Sequence, residues 1–274
     1  MASTSEVGNA KNVAHFSTLI TYCQSYGTTY NPSNNAIKIP QLTTLLNTAQ
    51  TDQNNVLTDE ATETSARNAR IVAFKDIKKL STRLLAAVGA AGATAQQKAN
   101  AKTINRKIQG SRAKIVPVPT PTPTPSPNPT PSPTNQKTTT PPGTITPIPT
   151  PTPTPSTPTS ISVAQLSYDN LIQHIAAFIA LLQTIPTYNP NETDLKIANL
   201  NTYMANLIAT NQAEIVAHTK ANNTRIARNK VLYTNITGLC DIGEESKDYI
   251  KSVYGSTAPE YKQVRKLKFT KKRI

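Results

Sequence analysis

The chain has 274 residues, a formal net charge of +14, 22 prolines, two cysteines and no tryptophan. A surplus of cations this large does not decide a fold, but it favours contact with something anionic, such as nucleic acid, a membrane surface or an acidic partner. No run approaches the roughly 18 apolar residues of a membrane span, and MASTSEVGNAKNVAHF lacks the pattern of a secretory leader, which predicts a cytoplasmic setting.

In chain order, apolar residues at helical spacing predict helices over 9–25, 39–74, 76–91 and 94–109. The composition then changes: 17 of the 22 prolines fall between Pro117 and Pro158, in runs such as VPVPTPTPTPSPNPTPSPT. Alternating proline favours extended polyproline II geometry, so residues 116–160 read as a stiff spacer that separates what lies on either side.

Beyond it, residues 164–184 carry Leu166, Ile172, Ile175, Phe178, Ile179 and Leu182 on one helical stripe, ended by Pro186 and Pro190. Asn191 or Thr193 is placed to cap the next helix, which runs without Pro or Gly from Asp194 to about Leu232. Its apolar positions, Leu200, Met204, Leu207, Ile208, Ile215 and Val216, suit packing on one neighbour. A shorter helix follows over about 242–254, and the basic segment after Ser256 begins a last one with Pro259 in its first turn.

The two flanks are copies of one another. Tyr30-Asn31-Pro32 recurs as Tyr188-Asn189-Pro190, and at the same offset of 158 residues Leu42 falls on Leu200, Arg67 on Arg225 and Arg70 on Arg228. His15 matches His174 one residue out of register, and both copies end in acid-free basic stretches. No strand-like alternation competes with the helices. The expected architecture is therefore all-α: two tandem three-helix-bundle-like domains, residues 1–115 and 161–274, the second with a basic C-terminal extension, held apart by the Pro/Thr-rich extended linker of 116–160.

Three scattered histidines, and cysteines that do not match between copies, offer no metal-ligand spacing, and no nucleotide-binding loop or nucleophile motif is present. Neither an enzyme nor a cofactor is expected. Cys23 and Cys240 read as small buried apolar residues. Tyr30, Asn31, Pro32 and Tyr188, Asn189, Pro190 read as turn chemistry with an anchoring tyrosine.

Arg67 and Arg70, like Arg225 and Arg228, lie three apart on one helical face, and Glu63 can pair with Arg67. This repeated pair either lines a solvated face or grips a phosphate or a partner's carboxylate. The basic ends, with Lys102, Arg106 and Lys107 in the first copy and Lys262, Arg265, Lys266, Lys268, Lys271, Lys272 and Arg273 in the second, are candidates for contact with a polyanion or a partner. The interleaved Tyr261, Val264, Leu267 and Phe269 equally suit docking on the bundle.

The segments SEVGNAKNVAHFSTLI, YGTTYNPSN, KTINRKIQGSRA, QLSYDNLIQ, YNPNETDLKIANL, TRIARNKVLY, TGLCDI and YKQVRKLKF resemble an uncharacterised family of duplicated α-helical proteins from Bacteroidota. The resemblance implies a two-copy helical architecture and a bacterial source, and carries no activity, cofactor or catalytic residue; the long Thr-Pro spacer departs from it. The expectation for function is a non-enzymatic structural or assembly protein. In it, two like domains bridge neighbouring subunits or repeated sites, with the protein itself as partner in an oligomer or filament. The alternative is a nucleic-acid or polyanion binder acting through the basic ends.

Overall fold

The structure, a computed structural model, describes residues 4–111 and 166–271. All the regular elements among them are helical, as the composition and periodicity lead one to expect. In the first copy these are α1 (Thr4–Ser25), α2 (Ile39–Phe74), α3 (Ile77–Ala90) and α4 (Ala95–Gln109). In the second they are α5 (Tyr168–Gln183), α6 (Ile197–Tyr233), α7 (Leu239–Tyr254) and α8 (Pro259–Val264).

Local chemistry sets the boundaries. Pro40 stands in the first turn of α2, where its missing N–H costs nothing. Thr94 and Gln97 form a reciprocal capping box at the start of α4, and Gly110 closes that helix in the left-handed region at φ 72°. Ser167 caps α5 by accepting from Asn170 N at 3.3 Å. The cap expected of Asn191 or Thr193 is not formed: Thr193–Leu195 makes a 3-10 turn, and α6 starts after Lys196 without a side-chain cap.

The helices do not assemble copy by copy. α2 and α6, of 36 and 37 residues, pack against each other along their length, and each extends past its own copy's shorter helices. One core gathers Phe16, Leu19 and Cys23 of α1 and Leu42 and Leu46 of α2 with Leu232, Leu239, Cys240 and Ile250 of the second copy. The other gathers Leu171, Ile175, Phe178 and Leu182 of α5 and Leu200 and Leu207 of α6 with Phe74, Leu84, Val88 and Ile108 of the first. The expectation of two self-contained bundles at 1–115 and 161–274 is thus corrected, because each copy completes the other's core. The physical reason lies in length: a helix of 36 residues beside an α1 of 22 and an α3 of 14 has apolar surface at both ends that one bundle cannot cover.

The spacer does not hold the copies apart either. Gly110, at the end of α4, lies so close to Leu166, just before α5, that a Cβ on the glycine would stand 2.8 Å from a Leu166 methyl. Residues 116–160 themselves lie outside the described residues, but Gly110 and Leu166, which flank the undescribed stretch, are in contact.

Candidate functional site

The middle of the α2–α6 pair, between the two cores, is built inside out. Its seam carries Asp59 and Glu63 from α2, and Asn211, Glu214 and Arg228 from α6, all buried, together with Ala217 and Ala221. Burying that many charges is tolerable only where each finds a partner, and here partners come across the seam. Glu63 accepts from His218 Nδ1 at 2.9 Å and from Arg225 at 3.2 Å, and pairs with Arg67 one turn along its own helix. Arg225 also reaches Glu60 at 2.8 Å. Asp59 meets Lys220 at 2.9 Å and accepts from the Thr224 hydroxyl at 2.6 Å. At the other end Arg70 pairs with Glu214 at 2.7 Å, donates to Asn211 and lies over the Tyr168 ring. The hydrogen bond from His218, then the hydrogen bond and charge of Arg225, hold the Glu63 carboxyl below the usual carboxylate range against the opposing effect of burial. The hydroxyl of Thr224, with Lys220, does the same for Asp59.

The four repeated arginines do not form one cluster: Arg67 and Arg225 meet at Glu63, Arg70 and Arg228 lie towards opposite ends of the pair, and Arg67 alone of the four keeps an exposed side chain. Three of them, Arg67, Arg70 and Arg225, bind carboxylates of the seam. Arg228 is buried beside wholly buried Asn9, whose amide oxygen accepts from Nη2 at 3.0 Å while its nitrogen faces Tyr233 Oη. The partner carboxylate that arginine geometry suggests belongs, for Arg70 and Arg225, to the other copy.

Around this polar seam the aliphatic residues point outward. Leu57, Ile71, Ile208, Ile215 and Ile226 are exposed, and each follows a seam residue (Val56, Arg70, Leu207, Glu214, Arg225), hence lies one step of about 100° round its helix. In an antiparallel pair, equal steps of the same hand bring both sets to one side. Ile208, Ile215 and Val216 thus do not pack on a neighbour as the periodicity suggests; Leu200 and Leu207 do.

The repeated turns behave alike. Tyr30 Oη donates to the Ile37 carbonyl at 2.7 Å, and Tyr188 Oη to that of Leu195 at 2.8 Å, so each ring closes its turn from inside a core. Asn31 and Pro32, and Asn189 and Pro190, form the chain between these anchors. Asn31 N donates to Tyr249 Oη at 3.2 Å, whereas Asn189 and Pro190 border a groove of about 530 Å³ with Ala86, Ala87 and Ala90. The small alanines of α3 leave open what the Tyr249 ring of α7 fills at the other end.

Both basic ends dock on the core at their end of the molecule through their apolar residues. In α4, Ala101 and Ile108 are buried, which leaves Lys102 and Lys107 exposed and Arg106 half-buried. In the second copy Val264 is buried, and Phe269 packs against Phe16 and His15 and over Gly243. Asn12 clamps Thr270, donating to its carbonyl and accepting from its N–H, both at 2.9 Å, and Lys247 Nζ donates to the Leu267 carbonyl. Lys262, Arg265, Lys266 and Lys268 remain on the surface, Lys271 pairs with Asp241, and Lys272 and Arg273 lie outside the described residues.

Cys23 and Cys240 are buried free thiols, pushed up to about 11 and about 12 by burial. Among the described residues no group of three or more His, Cys, Asp or Glu side chains is placed to hold a metal ion, and no helix is long and apolar enough to cross a membrane. Comparison with known protein families, with curated proteins and with solved structures finds no match.

Proposed function

We propose that this is a non-enzymatic assembly protein of the duplicated helical kind its sequence resembles, which bridges neighbouring subunits of its own kind with two like lobes. The observation that carries the reading is the interlocked pair α2–α6. It sets the lobes at the two ends of helices roughly 55 Å long, at 1.5 Å per residue, so that helix length and not the spacer fixes the interval between like surfaces. Repeated surfaces at a fixed interval suit repeated contacts. The exposed aliphatic side of the helix pair is further surface that a partner would cover.

Light scattering across a concentration series, with negative-stain microscopy of the same samples, tests this. Ordered species larger than one chain are expected as concentration rises, and a strict monomer at every concentration would refute the reading.

A second reading is contact with a polyanion through the basic ends, favoured by one observation: the apolar residues of 264–269 are used in docking while Lys262, Arg265, Lys266 and Lys268 stay exposed around them. Binding to double-stranded DNA should then weaken steeply with salt, and replacing these four by Ala should lower affinity for every sequence alike. Unchanged binding after replacement would remove this reading.

A further inference from the structure

The seam is not self-complementary. At the repeat offset of 158, Asp59 corresponds to Ala217, Glu60 to His218 and Glu63 to Ala221, so the first copy holds acids where the second holds a base or a methyl group, and the second copy's Lys220 stands where the first has the uncharged Thr62. Pairing two first copies in this geometry would place Glu63 against Glu60 in the position His218 now fills. Pairing two second copies would set His218 against Arg225 with no carboxylate between them. In a pair of first copies Arg67 would take Arg225's place on Glu60 and Glu63, but Asp59 would face Thr62 instead of Lys220; only a first copy with a second copy makes Asp59–Lys220, Glu60–Arg225 and Glu63–His218 together.

Neither half of the seam, and neither core, requires both copies to come from one chain. The covalent link between them is the 54 residues from 112 to 165, a contour of up to about 180 Å at roughly 3.3 Å per residue, joining two points that are in contact in the folded body. Bringing the ends of so long a segment together carries a closure cost, which rises with a composition that favours extended chain. A first copy that meets the second copy of a neighbour makes every contact described above without that closure.

We infer that the chain joins to a second copy of itself by exchange: the first copy of one chain takes the second copy of the next, through the Asp59/Glu60/Glu63 and His218/Lys220/Arg225 seam and the two shared cores. The inference rests on the assembly reading and names its joint. Because the seam admits only unlike copies, each chain has one donor and one acceptor half, and exchange propagates head to tail or closes into a ring.

The test uses the full chain with a site-specific protease sequence inserted beside Lys137 in the spacer. Assemblies collected at high concentration are cleaved and sized again by light scattering. Exchange predicts that cutting reduces every assembly to particles of one chain's mass, 29.6 kDa, each holding one first and one second copy with helicity unchanged. Assemblies that keep their size after complete cleavage are joined by outer surfaces, such as the side bearing Leu57 and Ile226, which overturns exchange and leaves the assembly reading standing. Absence of any assembly before cleavage overturns both.

A second arm works without spontaneous assembly. Full chains carrying Glu60→Arg with Glu63→Arg, and full chains carrying His218→Glu with Arg225→Glu, are each mismatched at the seam. Unfolded together and refolded at equal concentration, they should form a 1:1 two-chain species with matched seams that neither forms alone, and persistence of single chains only would count against exchange.

Discussion

His15 Nδ1 lies 2.9 Å from the carbonyl oxygen of Lys268, a residue 253 positions later in the chain. Its counterpart His174 stands beside Lys107 of the first copy's basic end. The histidine that the copies share thus meets, in each case, the basic end of the other copy. The contacts differ in kind: His15 donates to backbone, whereas His174 Nε2 is buried without a hydrogen-bond partner, and burial followed by the Lys107 charge lowers its pKa.

The docked C-terminal segment depends on the space that Gly243 leaves for Phe269, since a Cβ there would stand 2.6 Å from the ring. Gly243→Ala should displace residues 265–271, and Phe269→Ala should remove their anchor at about 2 kcal/mol for a partly buried ring. Both should make Lys266 and Lys268 cleavable by trypsin severalfold faster in otherwise folded protein, read by mass spectrometry of short digests.

Acid should weaken the seam before it melts the cores. Glu63 and Asp59 have folded pKa values below their unfolded ones, so their contribution to stability is full above the unfolded carboxylate range, near 4, and is lost as pH falls through the folded values. Urea unfolding at pH 7 and pH 3 should show lower stability at pH 3, and Glu63→Gln should be less stable at pH 7 yet lose less between the two.

Each turn tyrosine should matter equally and separately. Tyr30→Phe and Tyr188→Phe remove buried hydrogen bonds to the Ile37 and Leu195 carbonyls, at about 1–2 kcal/mol each. They lie in different cores, so the double variant should cost close to the sum in denaturant titrations, and a large shortfall would show the cores to be less separate than their contacts imply.

Shortening the spacer should leave the folded body intact, because Gly110 and Leu166 already touch. Replacing residues 112–165 with about six Gly/Ser residues should keep helicity by circular dichroism and change the melting temperature by only a few degrees. Residues 1–111 produced alone should show low helicity and no cooperative unfolding, and regain both on mixing with residues 166–274.

The helices were legible in the sequence because their signals are local. A stretch from 41 to 74 without Pro or Gly, and a Thr94/Gln97 capping box, decide where helices run whatever they pack on. Which helices share a core was not legible, since periodicity marks the face to be buried and not the surface that buries it. Leu200 and Leu207 would point inward equally in a bundle of their own copy. The seam was hidden for a related reason: Asp59, Glu63 and Arg228 look like a solvated face in one copy, and become buried partners only when the other is laid against it. Two signals stood in the sequence, namely the great length of the second helix in each copy and the opposed charges at Glu60 and His218.

The clamp of Asn12 on Thr270 and the contact of Gly110 with Leu166 are the same event at opposite ends of the molecule. In each, the close of one copy abuts the opening of the other. Traced by touch instead of by bond, the described residues form a circle of two arcs. A permuted gene that begins between residues 112 and 165 and fuses the segment after Thr270 to the one before Asn12 would encode the same circle read from another starting point.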